Sequence, residues 1–185
     1  MGMGALVDYD KSELIDGVVY AMSPASIRHI RIQGHIHRLI GNFLVGKRCM
    51  VFSEAEVRFD EANTFIPDIC IVCDPDKIKS SFIKGAPDFV AEILSPSTKK
   101  RDLTVKMRVY EQSGVREYWL VDPKAESIDV YLLKDGKYEL DETYHNITDE
   151  ELSEMDEEER ARQRLSLKLS LYDELEIKVR DVFEL

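Results

Sequence analysis

Two acids and one lysine stand out in the sequence because the stretches around the acids are apolar enough to be buried. Asp68 lies in the apolar stretch 66–73, Glu92 lies near the end of the apolar stretch 88–94, and Lys106 follows on the next predicted helix. A buried carboxylate is costly unless it is paired or binds a metal, and two carboxylates on neighbouring strands repel each other. A cation held between Asp68 and Glu92 would remove that repulsion.

The chemistry that such a group supports is metal-assisted hydrolysis of a phosphodiester. Carboxylate oxygens suit Mg²⁺, with Mn²⁺ as a substitute, and Mg²⁺ usually binds one or two carboxylates while water and phosphate fill its other positions. The ion can orient a phosphate, lower the pKa of an attacking water and neutralise developing charge. We therefore predict Asp68 and Glu92 as metal ligands, and Lys106 as the residue that stabilises charge in the transition state.

Each of these residues also has an ordinary structural interpretation. Asp68 could cap a turn at a strand edge, and Glu92 could form an ion pair with Lys106 without any metal. Lys106 could instead extend along the surface with its ammonium in water. The occurrence of all three in this order favours the site over three separate coincidences.

The hydrophobic pattern predicts the elements that would position these residues. Apolar residues at helical spacing predict a helix over 27–44, and Ser97 or Thr98 at the start and Gly114 at the end bound a second helix over 101–112. The predicted strands cover 51–59, 66–73, 88–94, 117–123 and 175–183, and hairpins with Asp-Gly turns cover 13–24 and 127–140. This order predicts an α/β domain whose mixed central sheet is flanked by helices and carries added hairpin strands.

The second helix carries the lysine beside its predicted core stripe. Leu103, Met107 and Tyr110 recur at the spacing of a buried helix face. Lys106 is offset by one position from that stripe, and Asp102 lies four residues before Lys106 on the same side of the helix. Asp102 is therefore a candidate accessory residue of the site.

The net charge of −11 on 185 residues argues against a generic nucleic-acid binder, because neutralising phosphates needs lysine and arginine. The acids are concentrated in the tail, where Asn146 and the residues after it include 13 acids and 6 bases. We predict that 146–166 is an acidic helical insertion within a single domain over 1–185. The one tight basic cluster, 99–101, lies beside the predicted site.

No apolar run reaches the roughly 18–20 residues that span a bilayer, so no membrane association is predicted.

The three cysteines are predicted to be ordinary thiols. Cys70 and Cys73 lie three apart on a predicted strand, so their side chains point to opposite faces, and no second C-x-x-C completes a zinc site. Together with Cys49 they do not form a disulfide framework. A cytoplasmic location is therefore the default prediction.

A longer pattern of residues surrounds the three candidates. It comprises Pro67-Asp68, VAEILSPST over 90–98, Asp102, Lys106, Tyr110 and GVREYWLVDP over 114–123. This pattern resembles the Uma family of restriction endonucleases, within the PD-(D/E)xK nuclease superfamily, over residues 13–140. The resemblance implies a restriction-endonuclease-like core fold, Asp68 and Glu92 as the metal carboxylates, and DNA as the substrate.

The chain departs from the usual motif at Leu94, where the superfamily has a lysine two residues after the second acid. The resemblance implies that Lys106, on the following helix, takes that place. It further implies Glu13 as an accessory acid near the metal and His29 as a residue that lines the same cleft. A homodimer is expected, because cleaving both strands of DNA needs two sites and small oligomers favour twofold symmetry.

Two other functions stay open from the sequence. The first is an accessory or binding module that keeps the nuclease fold with little or no activity, which the net charge of −11 and the lack of a basic stripe favour. The second is a metal-dependent hydrolase of a small phosphate ester. A deep, enclosed pocket would favour the second, whereas an open cleft would favour a polymer.

Overall fold

Residues 11–184, the part of the chain that the computed structural model describes, alternate between short strands and helices. The strands are β1 (Ser12–Ile15), β2 (Val18–Ala21), β3 (Met50–Ser53), β4 (Val57–Arg58), β5 (Thr64–Phe65), β6 (Ile69–Val72), β7 (Ile83–Lys84), β8 (Phe89–Ile93), β9 (Glu117–Asp122), β10 (Ser127–Lys134), β11 (Lys137–His145), β12 (Ser166–Leu169) and β13 (Tyr172–Lys178). The helices are α1 (Ile27–Leu44), α2 (Lys99–Arg101), α3 (Met107–Ser113), α4 (Asp149–Glu154), α5 (Glu157–Arg162) and α6 (Val179–Phe183). A π-helical turn, Asp102–Lys106, joins α2 to α3 in one continuous helix, and a short 3-10 helix covers Pro75–Lys77. The first ten residues and the last of the predicted domain 1–185 lie outside the described part.

A six-stranded mixed sheet forms the centre, in the order β11-β10-β9-β8-β6-β3. Strands β8 and β9 run parallel, and the other neighbours in this sheet run antiparallel. Successive side chains of a strand point to opposite faces, so the central strands contribute to two separate hydrophobic clusters. One face carries Ile69, Ile71, Phe89, Ala91, Ile93, Trp119 and Val121. The other face carries Cys70, Val72, Val90, Leu94, Tyr118 and Leu120. By the same alternation, Glu92 belongs to the second face.

Each face is covered by different elements. Helices α1 and α6 and the hairpin β12–β13 pack on the first face. On the second face pack the α2–α3 helix and a five-stranded sheet in the order β2-β1-β5-β4-β7. The predicted α/β fold, with a mixed central sheet flanked by helices and decorated by hairpins, is confirmed.

Helix α1 matches its predicted span because both its core stripe and its cap are local signals. Ile32, Ile36 and Ile40 lie four residues apart and are buried. The side chain of Ser26 accepts a hydrogen bond from the backbone N–H of His29, which is the expected N-cap. His29 lies in the first turn of α1, on the same face as these isoleucines, and its side chain points towards the central sheet.

Two predicted strands are interrupted. The stretch 51–59 divides at Glu54, whose φ of 52° turns the chain out of the extended conformation, so β3 and β4 belong to different sheets. The stretch 175–183 ends as helix α6.

The acidic segment forms two short helices, α4 and α5. A capping box starts each of them, with Thr148 as the N-cap of α4 and Asp156 as the N-cap of α5.

The cysteines overturn one prediction. Cys49 precedes β3 and Cys73 follows β6, and the antiparallel register that pairs Met50 with Val72 brings the two cysteines into a disulfide. The prediction of ordinary thiols is wrong for this pair, because it considered spacing along one strand and ignored the partner strand. Cys70 is a free, buried thiol whose pKa burial raises to about 12. The cytoplasmic location, which rested on free cysteines, stays a prediction.

No helix within residues 11–184 has both the length and the apolar character that crossing a membrane requires.

Candidate active site

A cleft of about 1030 Å³ lies between hairpin β1–β2, the first turns of α1 and the start of the α2–α3 helix. All six residues predicted from the sequence line it, namely Glu13, His29, Asp68, Glu92, Asp102 and Lys106. Glu13 comes from β1, His29 from α1, Asp68 from the residue before β6, and Glu92 from β8. The other two come from the π-helical turn. Residues from five separate segments therefore meet at one end of the central sheet.

Asp68 is fixed through both of its carboxylate oxygens. Its Oδ1 lies 2.9 Å from Nε2 of His29, and its Oδ2 accepts a 2.7 Å hydrogen bond from the backbone N–H of Ile93. The side-chain amide of Gln33 donates to the backbone oxygen of Asp68 at 2.9 Å. Burial alone would lower the pKa of His29, but the hydrogen bond and the negative charge of Asp68 outweigh it, and the pKa is raised.

Glu92 is partnered through one oxygen and nearly free at the other. Its Oε1 accepts a 2.6 Å hydrogen bond from the hydroxyl of Tyr110 and lies 2.6 Å from Nζ of Lys106. Within the described residues, the only hydrogen bond to Oε2 is a long one of 3.4 Å from the backbone N–H of Asp68. Oε2 is therefore the acceptor with spare capacity beside Asp68.

Lys106 is enclosed by three carboxylates and is only 3% exposed. Its Nζ lies 2.6 Å from Glu92, 2.9 Å from Oε1 of Glu13 and 3.7 Å from Oδ1 of Asp102. The same oxygen of Glu13 accepts a 2.9 Å hydrogen bond from the backbone N–H of Ile66. Burial would lower the pKa of Lys106, but the surrounding carboxylates raise it, so the side chain stays an ammonium.

The π-helical turn explains how a lysine from this helix becomes buried. A turn closed by i→i+5 hydrogen bonds is wider than an α-helical turn and shifts the faces of the residues that follow it. Asp102 and Lys106 are buried as a result, whereas Leu103 is 38% exposed. The predicted core stripe of Leu103, Met107 and Tyr110 is therefore wrong at its first position.

The cluster as a whole contains more carboxyl groups than cations. Glu13, Glu92 and Asp102 surround the single ammonium of Lys106, and a fourth carboxylate, that of Asp68, pairs with His29. Burial raises the pKa of Glu92 to about 8 against the opposing effect of the ammonium, and the neighbouring carboxylates raise it further. Burial also raises the pKa of Asp102. A further cation at this position would be stabilised by the same charges.

A family model described as "Putative restriction endonuclease", named Uma2, matches residues 7–176 of the chain. The chain belongs to the Uma2 family. The match covers most of the chain, including every strand of the central sheet and all six residues of the cleft cluster. The resemblance stated from the sequence pattern is confirmed.

Two similar proteins from Synechocystis sp. strain PCC 6803 are named only as uncharacterized proteins. The uncharacterized protein slr1290 is 33% identical over 126 residues, which are 66% of this Uma2 chain and 66% of that protein. The uncharacterized protein sll1609 is 27% identical over 118 residues, which are 61% of this chain and 67% of that protein. In each comparison about a third of the relative's length lies outside the alignment.

A solved structure shares the fold. A crystal structure from Anabaena variabilis, described as a putative nuclease belonging to DUF820, superposes with a TM-score of 0.70 at 22% sequence identity. The superposition covers 93% of this Uma2 chain and 89% of the other. The arrangement of sheet and helices is therefore one that an experimentally determined structure also has.

The donor set of the Uma2 cleft fits a magnesium ion held by two carboxylates. Within residues 11–184, no group of three or more histidine, cysteine or acidic side chains converges as a ready metal cage. Mg²⁺ does not need one, since it commonly rests on one or two carboxylates and leaves its other positions to water and phosphate. The spare Oε2 of Glu92, beside Asp68 and within a negatively charged cluster, provides that kind of site.

Sequence reasoning missed two residues that hold the cluster together. Gln33 fixes the backbone of Asp68, and its position one helical turn after His29 is a signal that could have identified it. Tyr110 was predicted as a core residue, and it is fully buried, but its hydroxyl also donates to Glu92. A tyrosine rather than a phenylalanine in a core stripe indicates such a hydrogen bond.

Proposed function

We propose that this protein is a magnesium-dependent endonuclease that hydrolyses phosphodiester bonds of DNA in the cleft described above. The observation that carries the proposal is the buried group of Asp68, Glu92 and Lys106, which opens to the cleft and leaves Oε2 of Glu92 nearly free beside Asp68. Membership of the Uma2 family and the shared nuclease-like fold support the reaction class.

In this proposal, Asp68 and Glu92 hold the ion. When bound, Mg²⁺ supplies a Lewis acid that lowers the pKa of the attacking water and offsets charge on the phosphate. His29 and the backbone N–H of Ile93 orient Asp68, so that its carboxylate needs little rearrangement on binding. Mn²⁺ is expected to substitute, because it accepts the same oxygen ligands.

Lys106 is the residue proposed to stabilise the transition state. Its ammonium is held between Glu13 and Glu92, beside the carboxylate that would bind the metal. In this position a fixed positive charge can stabilise the negative charge that develops on the phosphate oxygens. Glu13 acts through Lys106 as a positioning residue, and so does Asp102.

The path of the cleft favours a polymer over a small phosphate ester. Its volume of about 1030 Å³ is comparable with the upper end of small-ligand pockets, roughly 300–1000 Å³, so its course across the surface decides between them. It continues from the hairpin residue Lys11 past the carboxylates to Lys124 on the turn after β9. A strand of DNA can lie along such a path.

The experiment that tests the proposal is cleavage of supercoiled and linear DNA with Mg²⁺, Mn²⁺ or EDTA. The native chain is compared with Glu92→Gln and with Lys106→Met. Lys100→Met, an exposed lysine of the same helix, serves as the control for the second variant. Metal-dependent cleavage that both site variants lose and the control keeps is the expected result. Sedimentation of the native chain tests the homodimer proposed from double-strand cleavage.

One observation favours the alternative of an accessory module without useful activity. Lys106 already has three carboxylate partners, so part of the negative charge is balanced without a metal. Calorimetric titration with Mg²⁺ distinguishes the two functions. The absence of heat of binding, also in the presence of a DNA duplex, would leave the accessory module as the better explanation.

A further inference from the structure

The cations around the cleft differ in whether a carboxylate already neutralises them. Three of them form ion pairs on the rim, which are Lys11 with Glu54, Arg28 with Glu126, and Lys99 with Asp122. A fourth, Lys106, is enclosed by Glu13, Glu92 and Asp102. These four have little positive charge left to offer to a phosphate.

Two cleft-lining cations, Lys124 and Arg101, have no such partner within residues 11–184, and Lys124 is exposed. Arg101 differs from it. It is partly buried in the wall of the cleft, and no carboxylate of residues 11–184 forms an ion pair with it. Its Nε is shielded from solvent and, within the same residues, has no hydrogen-bond partner. An unpaired donor in such a position costs free energy unless a ligand satisfies it. Arg101 therefore has an unused hydrogen-bonding capacity inside the cleft.

An aromatic ring holds this guanidinium in place. Its central carbon lies 4.9 Å from the ring centroid of Tyr20, which is a cation–π contact. Tyr20 stands directly opposite Glu13 in hairpin β1–β2, and side chains at directly opposed positions share one face. The hairpin thus carries two contacts to the same helix, with Tyr20 on Arg101 and Glu13 on Lys106.

The π-helical turn allows both side chains to reach the same cleft. Residues five apart in a regular α-helix point about 140° away from each other. The wider turn between residues 101 and 106 reduces this separation, because it is closed by i→i+5 hydrogen bonds. Arg101 and Lys106 consequently both line the cleft.

We propose that Arg101, stacked on Tyr20, binds a backbone phosphate of the nucleic acid next to the phosphate that is hydrolysed. The inference rests on the proposed nuclease function and assigns the residue that recognises the substrate's backbone. A guanidinium presents a planar fork of N–H donors that matches two phosphate oxygens, and stacking on a ring leaves that edge free. In a chain with a net charge of −11, this residue supplies the attraction that the paired cations do not.

The test measures binding of a short fluorescein-labelled DNA duplex over a range of salt concentrations, with Ca²⁺ in place of Mg²⁺. Arg101→Ala is expected to weaken binding about tenfold or more. It should also reduce the slope of log affinity against log salt by about one phosphate contact. Arg108→Ala is the matched control, because Arg108 lies on the same helix outside the cleft and pairs with Asp16.

Two further variants separate orientation from charge. Arg101→Lys keeps the charge, so the salt slope should stay near the native value, while the turnover with Mg²⁺ falls because the planar fork is lost. Tyr20→Leu removes the ring and is expected to raise KM more than it lowers kcat, whereas Tyr20→Phe should behave like the native chain. Thermal unfolding of every variant shows that each is folded.

The outcomes distinguish this inference from the function on which it rests. If the native chain cleaves DNA and Arg101→Ala has the affinity and salt slope of Arg108→Ala, the role of Arg101 is overturned and the nuclease function stands. If the folded native chain neither binds the duplex nor cleaves DNA with Mg²⁺ or Mn²⁺, the nuclease function itself fails.

Discussion

Two glutamates lie buried on neighbouring parallel strands of the central sheet and face opposite sides of it. Glu92 on β8 faces the cleft, and Glu117 on β9 faces the hairpin β12–β13. Glu117 is fully buried and accepts hydrogen bonds from Nε1 of Trp119 and from both the N–H and the hydroxyl of Ser170. Its donors are neutral and no ion pair is needed. Burial raises the pKa of both glutamates.

The two glutamates differ in their hydrogen-bond and ion-pair partners and not in their burial. Neutral donors from the protein satisfy Glu117 on both oxygens, whereas Glu92 shares a lysine with other carboxylates and keeps Oε2 nearly free. A buried acid is therefore a weak indication of function by itself. An acid whose remaining acceptor lies next to other acids, at the wall of a cleft, is a much stronger one.

The largest expected effect is on catalysis. Asp68→Asn and Glu92→Gln should each lower DNA cleavage about a thousandfold, since a metal's stabilisation of the transition state amounts to several kcal/mol. Glu117→Gln should keep the activity of the folded chain. Initial rates with Mg²⁺, corrected for the folded fraction, provide the measurement. Equal losses in all three variants would show that burial alone explains the effect.

A second prediction concerns the stability that Lys106 provides. Lys106→Met leaves several buried carboxylates without their cation and should lower the free energy of unfolding by about 3–5 kcal/mol. The loss should shrink in acid, because the carboxylates whose pKa burial already raises become neutral and no longer need a cation. Urea unfolding at several pH values measures this. The control Lys100→Met should stay within about 0.5 kcal/mol of the native chain.

A loss of stability that did not depend on pH would contradict this explanation. It would indicate that Lys106 contributes mainly through the packing of its methylene groups.

The third prediction compares the stability cost of replacing Glu117 with that of replacing Glu92. Glu117→Gln places an amide where three donors converge and should cost about 1–3 kcal/mol near neutral pH. Glu92→Gln should cost much less, because an amide resembles the protonated carboxyl that burial favours there. Chemical unfolding of the two variants compares them directly.

The pH dependence of Glu117 has a definite sign. Its folded pKa is raised above the ordinary value of 4.5, so its contribution to stability is fully present below that pH. The contribution is lost as the pH rises through the raised folded pKa. Glu117→Gln should remove this decline, and a variant with an unchanged pH profile would refute the assignment.

The sequence was sufficient where the signal was local. The helix 27–44 follows from eighteen residues of regular spacing and a serine cap, and Asp68 and Glu92 follow from acids within apolar strands. Contacts between segments that are distant in sequence could not be predicted in this way. The partnership of Glu13 with Lys106 joins positions 93 residues apart, and only the family pattern indicated it. The disulfide likewise depends on the register between two strands.

The π-helical turn shows a different limit. Regular α-helical periodicity placed Leu103 inside and Lys106 at the boundary, and the structure reverses the two. No residue in the segment is a proline or glycine that would mark the irregularity. The wide turn buries Asp102 and Lys106, which is unfavourable unless they are paired. Asp102 lies 3.7 Å from Lys106 in the same turn, but Glu13 and Glu92, the other partners of Lys106, come from distant segments, so the local sequence does not predict the irregularity.

The smallest expected effects come from removing one neutral donor from each glutamate. Tyr110→Phe deletes the hydroxyl that binds Glu92, and Ser170→Ala deletes one that binds Glu117. Each should cost about 1 kcal/mol of stability, the usual contribution of one hydrogen bond. Only Tyr110→Phe should also slow DNA cleavage, by about tenfold, because the Tyr110 hydroxyl orients the carboxylate that is proposed to hold the ion. Unfolding curves and initial rates of both variants decide this, and equal rates would mean that Tyr110 has no role beyond the core.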